Sequence, residues 1–237
     1  MEAIILAGGL GTRLRSTVPK IPKPLAPIGN KPFLTYLFDF WIDQGVDRFI
    51  LSVGYKHELI QKEFGIRYKS AEVDYAIESV PLGTGGGLLL SWEKLRSPKP
   101  FLILNGDTFF DVSLTNLLGH HSTCEADMTL SLVTVPDNIR YSTVSLDQRE
   151  MVQSLEKRRA PSKNNLINGG VYLMEPNLLN KHGNIHFQKC SLEDDLLPDL
   201  LHKKKRIAGF ISQGSFIDIG LPEDYRRAEE ILTRHHN

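Results

Sequence analysis

The 237-residue sequence is poor in cysteine, with only Cys124 and Cys190. These two match no metal-ligand spacing and no CxxC redox pair, so they read as free thiols, buried or at the surface. Excess charge is also missing: 28 Lys and Arg face 28 Asp and Glu. A general nucleic-acid binder carries a basic surplus, so that class is excluded, although local basic patches are not. No apolar run approaches the length of a membrane-spanning helix. The N-terminus has no basic segment, and its apolar stretch Ala3–Ala7 is too short for the core of a secretory signal. The expectation is a cytoplasmic protein with no membrane and no nucleic-acid partner. The eight histidines are scattered. The pair His120-His121 has no zinc spacing with Cys or acidic partners, and solvated or capping roles are expected. No repeat or low-complexity linker interrupts the chain.

What is present is an ordinary globular composition, 41% apolar and 24% charged, on a chain long enough for a sizeable core. Ala3–Ala7 is a continuous apolar run stopped by Gly8-Gly9, the pattern of a buried parallel strand. Phe33, Leu34, Leu37, Phe38, Trp41 and Ile42 then follow helical spacing, with Pro32 at the start and Gly45 at the stop. Phe49–Val53 reads as a strand, His57–Phe64 as a helix and Val73–Ile77 as a strand. "GTGGGLLLSWEKL" opens a third helix and "FLILNGD" closes a further strand. This β-α-β-α-β-α-β order argues for a mostly parallel sheet with helices on both faces. The second half runs strand after strand: "ADMTLSLVTV", "STVSL", "MVQSLEK" and "NGGVYLM". It suggests an antiparallel extension of the sheet. "SLEDDLLPDLLHKK" is helical with Ser191 as N-cap, Pro198 starts a second piece, and Asp111 is a candidate cap for "VSLTNLL". "LPEDYRRAEEILTRH" closes the chain as a helix. The whole reads as one α/β domain over 1–237.

Chemistry concentrates after the first strand. Gly8, Gly9 and Gly11 leave backbone amides free to approach an anion. The stretch is neither a P-loop, which needs a terminal Gly-Lys-Ser/Thr, nor the G-x-G-x-x-G of dinucleotide binders. Arg13 adds a planar fork for phosphate oxygens. Lys23 stands between Pro22 and Pro24, which stiffen its backbone. Asp107, ending its strand, faces the ligand crevice expected at the carboxyl ends of parallel strands.

Four ordered motifs, "LAGGLGTRL…PKPLAPIGNKPFL", "ESVPLGTGGGL", "LNGDTFFD" and "FIDIGLPEDYRRA", resemble the signature of the sugar-1-phosphate nucleotidyltransferases across essentially the whole chain. The resemblance implies a Rossmann-like three-layer fold with a mixed, mostly parallel sheet and a small antiparallel sugar-binding extension. The nucleotide-binding half would span about 1–110 and the sugar-phosphate half about 111–237. The implied activity condenses a nucleoside triphosphate with a sugar 1-phosphate, giving a nucleotide sugar and pyrophosphate. Small-molecule substrates are the implied partners, with room for a homodimer.

By the same resemblance, Mg²⁺ is the cofactor, held by Asp107 and Asp218. Arg13, Lys23, Asp107, Asp218 and Lys157 are the catalytic set. The nucleotide would be bound by Leu6, Ala7, Gly8, Gly9, Gly11, Thr12, Arg13, Lys23, Glu78, Pro81, Leu82, Gly83, Thr84 and Asn105. Glu78 has two acceptor oxygens that suit the neighbouring donors of guanine, and Gly83, Thr84 and Gly85 open a helix whose amides could face the nucleotide. Gly106, Glu156, Lys157, Asn168 and Gly170 would bind the sugar phosphate. Glu156 and Lys157 are strand neighbours and can share a ligand only where the strand is bulged or ends. Arg158 and Arg159 read equally as a solvated charge run. Ser16 stands where many relatives have proline, and "GTRLRSTV", "NKPFL" and "NGDTFFD" together most resemble the D-glycero-α-D-manno-heptose 1-phosphate guanylyltransferases. The alternatives are mannose-1-phosphate guanylyltransferase and N-acetylmuramate-1-phosphate uridylyltransferase. From another class, a non-catalytic nucleotide-sugar-binding regulator remains a rival. The chain stops after the closing helix, which leads us to expect neither the acyltransferase nor the regulatory domain of longer relatives.

Overall fold

A computed structural model describes residues 1–9, 21–135, 141–156, 166–180, 189–220 and 222–234. Gly11, Thr12, Arg13, Ser16, Lys157, Arg158 and Arg159 lie outside the described residues. In chain order the strands are β1 (Glu2–Leu6), β2 (Pro27–Ile28), β3 (Lys31–Pro32), β4 (Arg48–Val53), β5 (Arg67–Tyr68), β6 (Ala71–Ile77), β7 (Phe101–Asn105), β8 (Thr108–Phe110), β9 (Met128–Thr134), β10 (Thr143–Leu146), β11 (Val152–Glu156), β12 (Leu166–Met174), β13 (Ile207–Ile211) and β14 (Phe216–Asp218). The helices are α1 (Phe33–Asp43), α2 (His57–Phe64), α3 (Gly83–Trp92), α4 (Leu114–Thr123), α5 (Asn177–Asn180), α6 (Leu197–His202) and α7 (Pro222–Arg234).

The main sheet runs β11-β10-β12-β7-β1-β4-β6-β5, with β9 and β13 continuing from β12. Strands β7, β1, β4 and β6 pair in parallel. β12 then turns antiparallel against β7, and β9 antiparallel against β12. The β-α alternation of the first half and the strand-rich second half therefore share one mixed sheet.

The apolar run of β1 is continuous because both of its faces are buried. Ala3 and Ile5 pack on one face with α1, α2, α4 and α7, through Phe33, Trp41, Phe64, Leu117 and Leu232. Ile4 packs on the other with α3, α5 and α6, through Leu88, Leu178 and Leu200. These are the two helical layers. Gly45, at φ +96°, ends α1 in a conformation that a side chain would resist.

Three local expectations change. The cap of α4 is Ser113, whose hydroxyl accepts from the Asn116 amide, rather than Asp111. β7 ends at Asn105, so Asp107 sits two residues beyond it in a turn. His121 is neither solvated nor a cap. It is buried, with Nδ1 2.7 Å from Thr129 Oγ1 and Nε2 3.4 Å from Glu175. Burial holds its pKa below the usual histidine value, against the opposing pull of Glu175.

The N-terminal edge of the parallel strands is tied by charge. Register places Arg48 of β4 between Glu2 of β1 and Glu72 of β6. Its guanidinium binds Glu2 and lies 2.9 Å from Asp74, and Glu2 also accepts the Arg96 and Ser97 amides. The opposite, C-terminal edge is left for the crevice.

Candidate active site

At that C-terminal edge, β1, β4 and β7 run out side by side. The Ala7 amide donates to Ser52, and the Gly106 amide donates to Leu6. The three strand ends therefore enter one surface, which opens into a cavity of about 390 Å³. Of the expected site residues, Leu6, Ala7, Gly8, Gly9, Lys23, Glu78, Pro81, Gly83, Thr84, Asn105, Gly106 and Asp107 line it.

The charged floor is assembled from three distant segments. Lys23 opens a short 3-10 turn, Lys23–Leu25, with prolines on both sides. Its ammonium lies 2.5 Å from Asp107 Oδ2 and 3.7 Å from Asp218 Oδ1. Asp218 arrives because β14 pairs antiparallel with β8, which puts Asp218 opposite Thr108, the neighbour of Asp107. The Ile219 amide donates to the Asp107 carbonyl and locks the junction. α7 packs behind it, where the Tyr225 hydroxyl donates to the Pro27 carbonyl.

Glu78 is committed within the protein. Oε1 accepts the Ser52 hydroxyl and Oε2 accepts the Leu82 amide, both at 2.9 Å. It sits tight against Gly8, where an added Cβ would fall 2.0 Å from Oε1. A glycine there lets the first loop pass over this carboxylate without displacing it.

The start of α3 turns two of its amides to the protein itself. The Gly85 and Gly86 amides both donate to the Cys190 carbonyl, at 3.0 and 3.3 Å, and the Cys190 amide donates to Leu82. A Cβ on Gly83 would come within 2.5 Å of that same carbonyl. Segment 189–193 thus straps the helix start and uses two of its amides. Burial raises the Cys190 thiol pKa, as does Asp195 nearby, which disfavours the nucleophilic thiolate.

Four cavity residues escaped the sequence reading: Pro24, Ser52, Lys189 and Gly220. Ser52 could have been found by the strand-end rule that selected Asp107. Lys189 carries no motif signal. Leu82, Asp218, Glu156, Asn168 and Gly170 lie off the cavity lining, although Asp218 touches the floor through Lys23. Glu156 is the last residue of β11 and is exposed, with Ser154 as its hydrogen-bond partner. Gly169 and Gly170 do permit close approach, but by the protein itself. Cβ atoms there would meet the Phe110 ring at 2.3 Å and the Asn105 amide at 2.8 Å.

Comparison with known proteins adds independent support. Residues 2–235 match the model of the nucleotidyl transferase family. The chain is 44% identical over 99% of its length to the D-glycero-alpha-D-manno-heptose 1-phosphate guanylyltransferase of Aneurinibacillus thermoaerophilus, covering all of that protein. It is 40% identical over 95% of its length to the protein of the same name from Campylobacter jejuni, covering 97% of it. The crystal structure of HddC from Yersinia pseudotuberculosis superposes with a TM-score of 0.84 at 35% identity, covering 97% of this chain and 98% of that one. The same protein complexed with GMP-PN superposes at 0.83. With a family match spanning nearly every residue, and with Lys23, Asp107 and Asp218 gathered at the strand ends, the chain belongs to the nucleotidyl transferase family and is an enzyme of that class.

Proposed function

We propose that this enzyme transfers the GMP group of GTP to D-glycero-α-D-manno-heptose 1-phosphate, forming GDP-heptose and pyrophosphate. The observation that carries the chemistry is the Lys23–Asp107 pair on the floor of the strand-end cavity, with Asp218 against Lys23. The heptose and guanine assignments rest on the names of the two relatives at 44% and 40% identity, and on the GMP-PN bound to the Yersinia protein. We read 1–237 as one domain, since β12 of the second half pairs directly with β7 of the first. Among the described residues no helix is long and apolar enough to cross a membrane, and we place the enzyme in the cytoplasm.

Asp107 and Asp218 offer hard oxygen donors. Among the described residues no group of three or more His, Cys, Asp or Glu gathers to enclose an ion. That donor set suits Mg²⁺, which takes one or two protein carboxylates beside substrate phosphates. Bound there, the ion would supply charge neutralisation and alignment of the triphosphate.

The rest is positioning. An oxygen of the sugar phosphate forms the new bond to the α-phosphorus. The bond from that phosphorus to the β-bridging oxygen breaks, and its electron pair leaves with pyrophosphate. A sugar phosphate is largely dianionic near neutral pH, so no base need remove a proton. Lys23, flanked by prolines and 10% exposed, places its side-chain nitrogen beside the reacting phosphates. We assign Arg13 and Lys157 to the phosphates as well, on motif position. Glu78 fits the guanine edge only as an acceptor shared with Ser52 and Leu82.

The test crosses four nucleoside triphosphates with heptose, mannose and N-acetylmuramate 1-phosphates and measures pyrophosphate release. GTP with the heptose phosphate should give the highest kcat/KM. Asp107→Asn should lower kcat by about 100-fold or more, by loss of the anionic oxygen that would hold the metal ion and that orients Lys23. Full activity in that variant would remove the cluster from the mechanism. Nucleotide-sugar binding without turnover of any pair would favour a regulator instead.

A further inference from the structure

A buried polar relay, seen in no sequence motif, links the two walls of the cavity through Glu193. Tyr172, in the middle of β12, is fully buried, and a buried phenol needs partners. Its oxygen accepts from Asn168 Nδ2 at 2.7 Å, with the Asn105 side chain close by. An amide NH₂ can only donate, so the single phenolic hydrogen is directed to Glu193 Oε1, 3.0 Å away. Asn168 is fixed at its other end too, because Oδ1 accepts the Gly170 amide.

The second branch has the same polarity. The Leu192 amide donates to Thr84 Oγ1 at 2.8 Å, which directs the threonine hydrogen to Glu193 Oε2 at 2.9 Å. The Ser191 hydroxyl donates to the same oxygen at 3.3 Å. One carboxylate is therefore the terminal acceptor for three hydroxyls, from β12, the start of α3 and the strap. A glutamine in its place would oppose a donor to a hydroxyl whose hydrogen is already spoken for. Thr84 and Asn105 are cavity residues, and among the described residues the buried Asn105 Oδ1 has no hydrogen-bond partner.

We propose that Glu193 is a positioning residue: through Tyr172 and Thr84 it sets the orientation of Asn105, Asn168 and the α3 start, and so the fit of both substrates. The inference rests on the nucleotidyl transfer proposed above. Steady-state kinetics of Glu193→Gln and Tyr172→Phe should show KM values raised about tenfold, the scale of one unsatisfied buried polar group, with kcat within about twofold. Glu193→Gln should raise both KM values, whereas Thr84→Val should raise that of the triphosphate alone. A lowered melting temperature with both KM values unchanged would make Glu193 a brace only and overturn the proposal. If the wild type turns over no substrate pair, the functional reading fails by itself. A crystal structure of each variant then decides: reoriented Asn105 and Asn168 amides support the relay, and unmoved ones refute it.

Discussion

Gly8→Ala tests how the first loop is seated. The three atoms nearest a Cβ at Gly8 are Oε1, Cδ and Oε2 of Glu78, at 2.0, 2.7 and 3.1 Å. The first distance is far inside van der Waals contact, so the carboxylate must swing away. That breaks its bonds to Ser52 and to the Leu82 amide. Hydrogen bonds to a charged group contribute about 1.5–3 kcal/mol each. Glu78 is only half-buried, and water recovers part of that, which leaves a cost of about 2 kcal/mol. For a chain of this size the melting temperature should fall by about 4–8 °C. Gly9→Ala is the control, because a Cβ there meets no described atom within 4 Å. The decisive assay is a double-mutant cycle by urea denaturation with Glu78→Ala. Without the carboxylate the methyl has room, so Gly8→Ala should cost less than about 0.5 kcal/mol in that background. Additive costs, or equal behaviour of Gly8→Ala and Gly9→Ala, would refute the argument.

Two further outcomes concern stability away from the cavity. Arg48→Leu strands Glu2, with Glu72 and Asp74 beside it, and loss of one partner from a buried ion-pair network costs about 3–5 kcal/mol. The melting temperature should fall by about 10 °C; a change of under about 2 °C would show that water compensates. His121 has its pKa lowered by burial, so between its unfolded and folded values the unfolded chain binds the extra proton. The stability held by the neutral ring is therefore complete above about pH 6.5 and is lost as the pH falls through that value toward the folded one. His121→Asn should flatten the decline in melting temperature between about pH 7.5 and 5.5, and an unchanged slope would refute the assignment.

Much of the first half of the fold was legible because the central parallel strands β1, β4 and β7 are buried on both faces, which writes short apolar runs, while α1 writes its period and its stop at Gly45. The carboxylates were legible in a different sense. Asp107 follows from the rule about strand ends. The meeting of Asp107 with Asp218 depends on β8 pairing with β14 across more than a hundred residues, and no local pattern encodes that register. The family likeness supplied it. The same physics explains why the partner of the α3 start was hidden. A glycine-rich helix start looks alike whether its amides face an anion or another stretch of backbone, since both need the space that a missing Cβ leaves. Here the Cys190 carbonyl takes the space at Gly83 and the amides at Gly85 and Gly86. Glu193 was hidden for a related reason. Its donors come from positions 84, 172 and 191, and only the last is a neighbour in sequence. Motifs record residues that meet ligands through short loops. A carboxylate that works by fixing other side chains leaves no spacing to read, and only the assembled network shows that three hydroxyls share it.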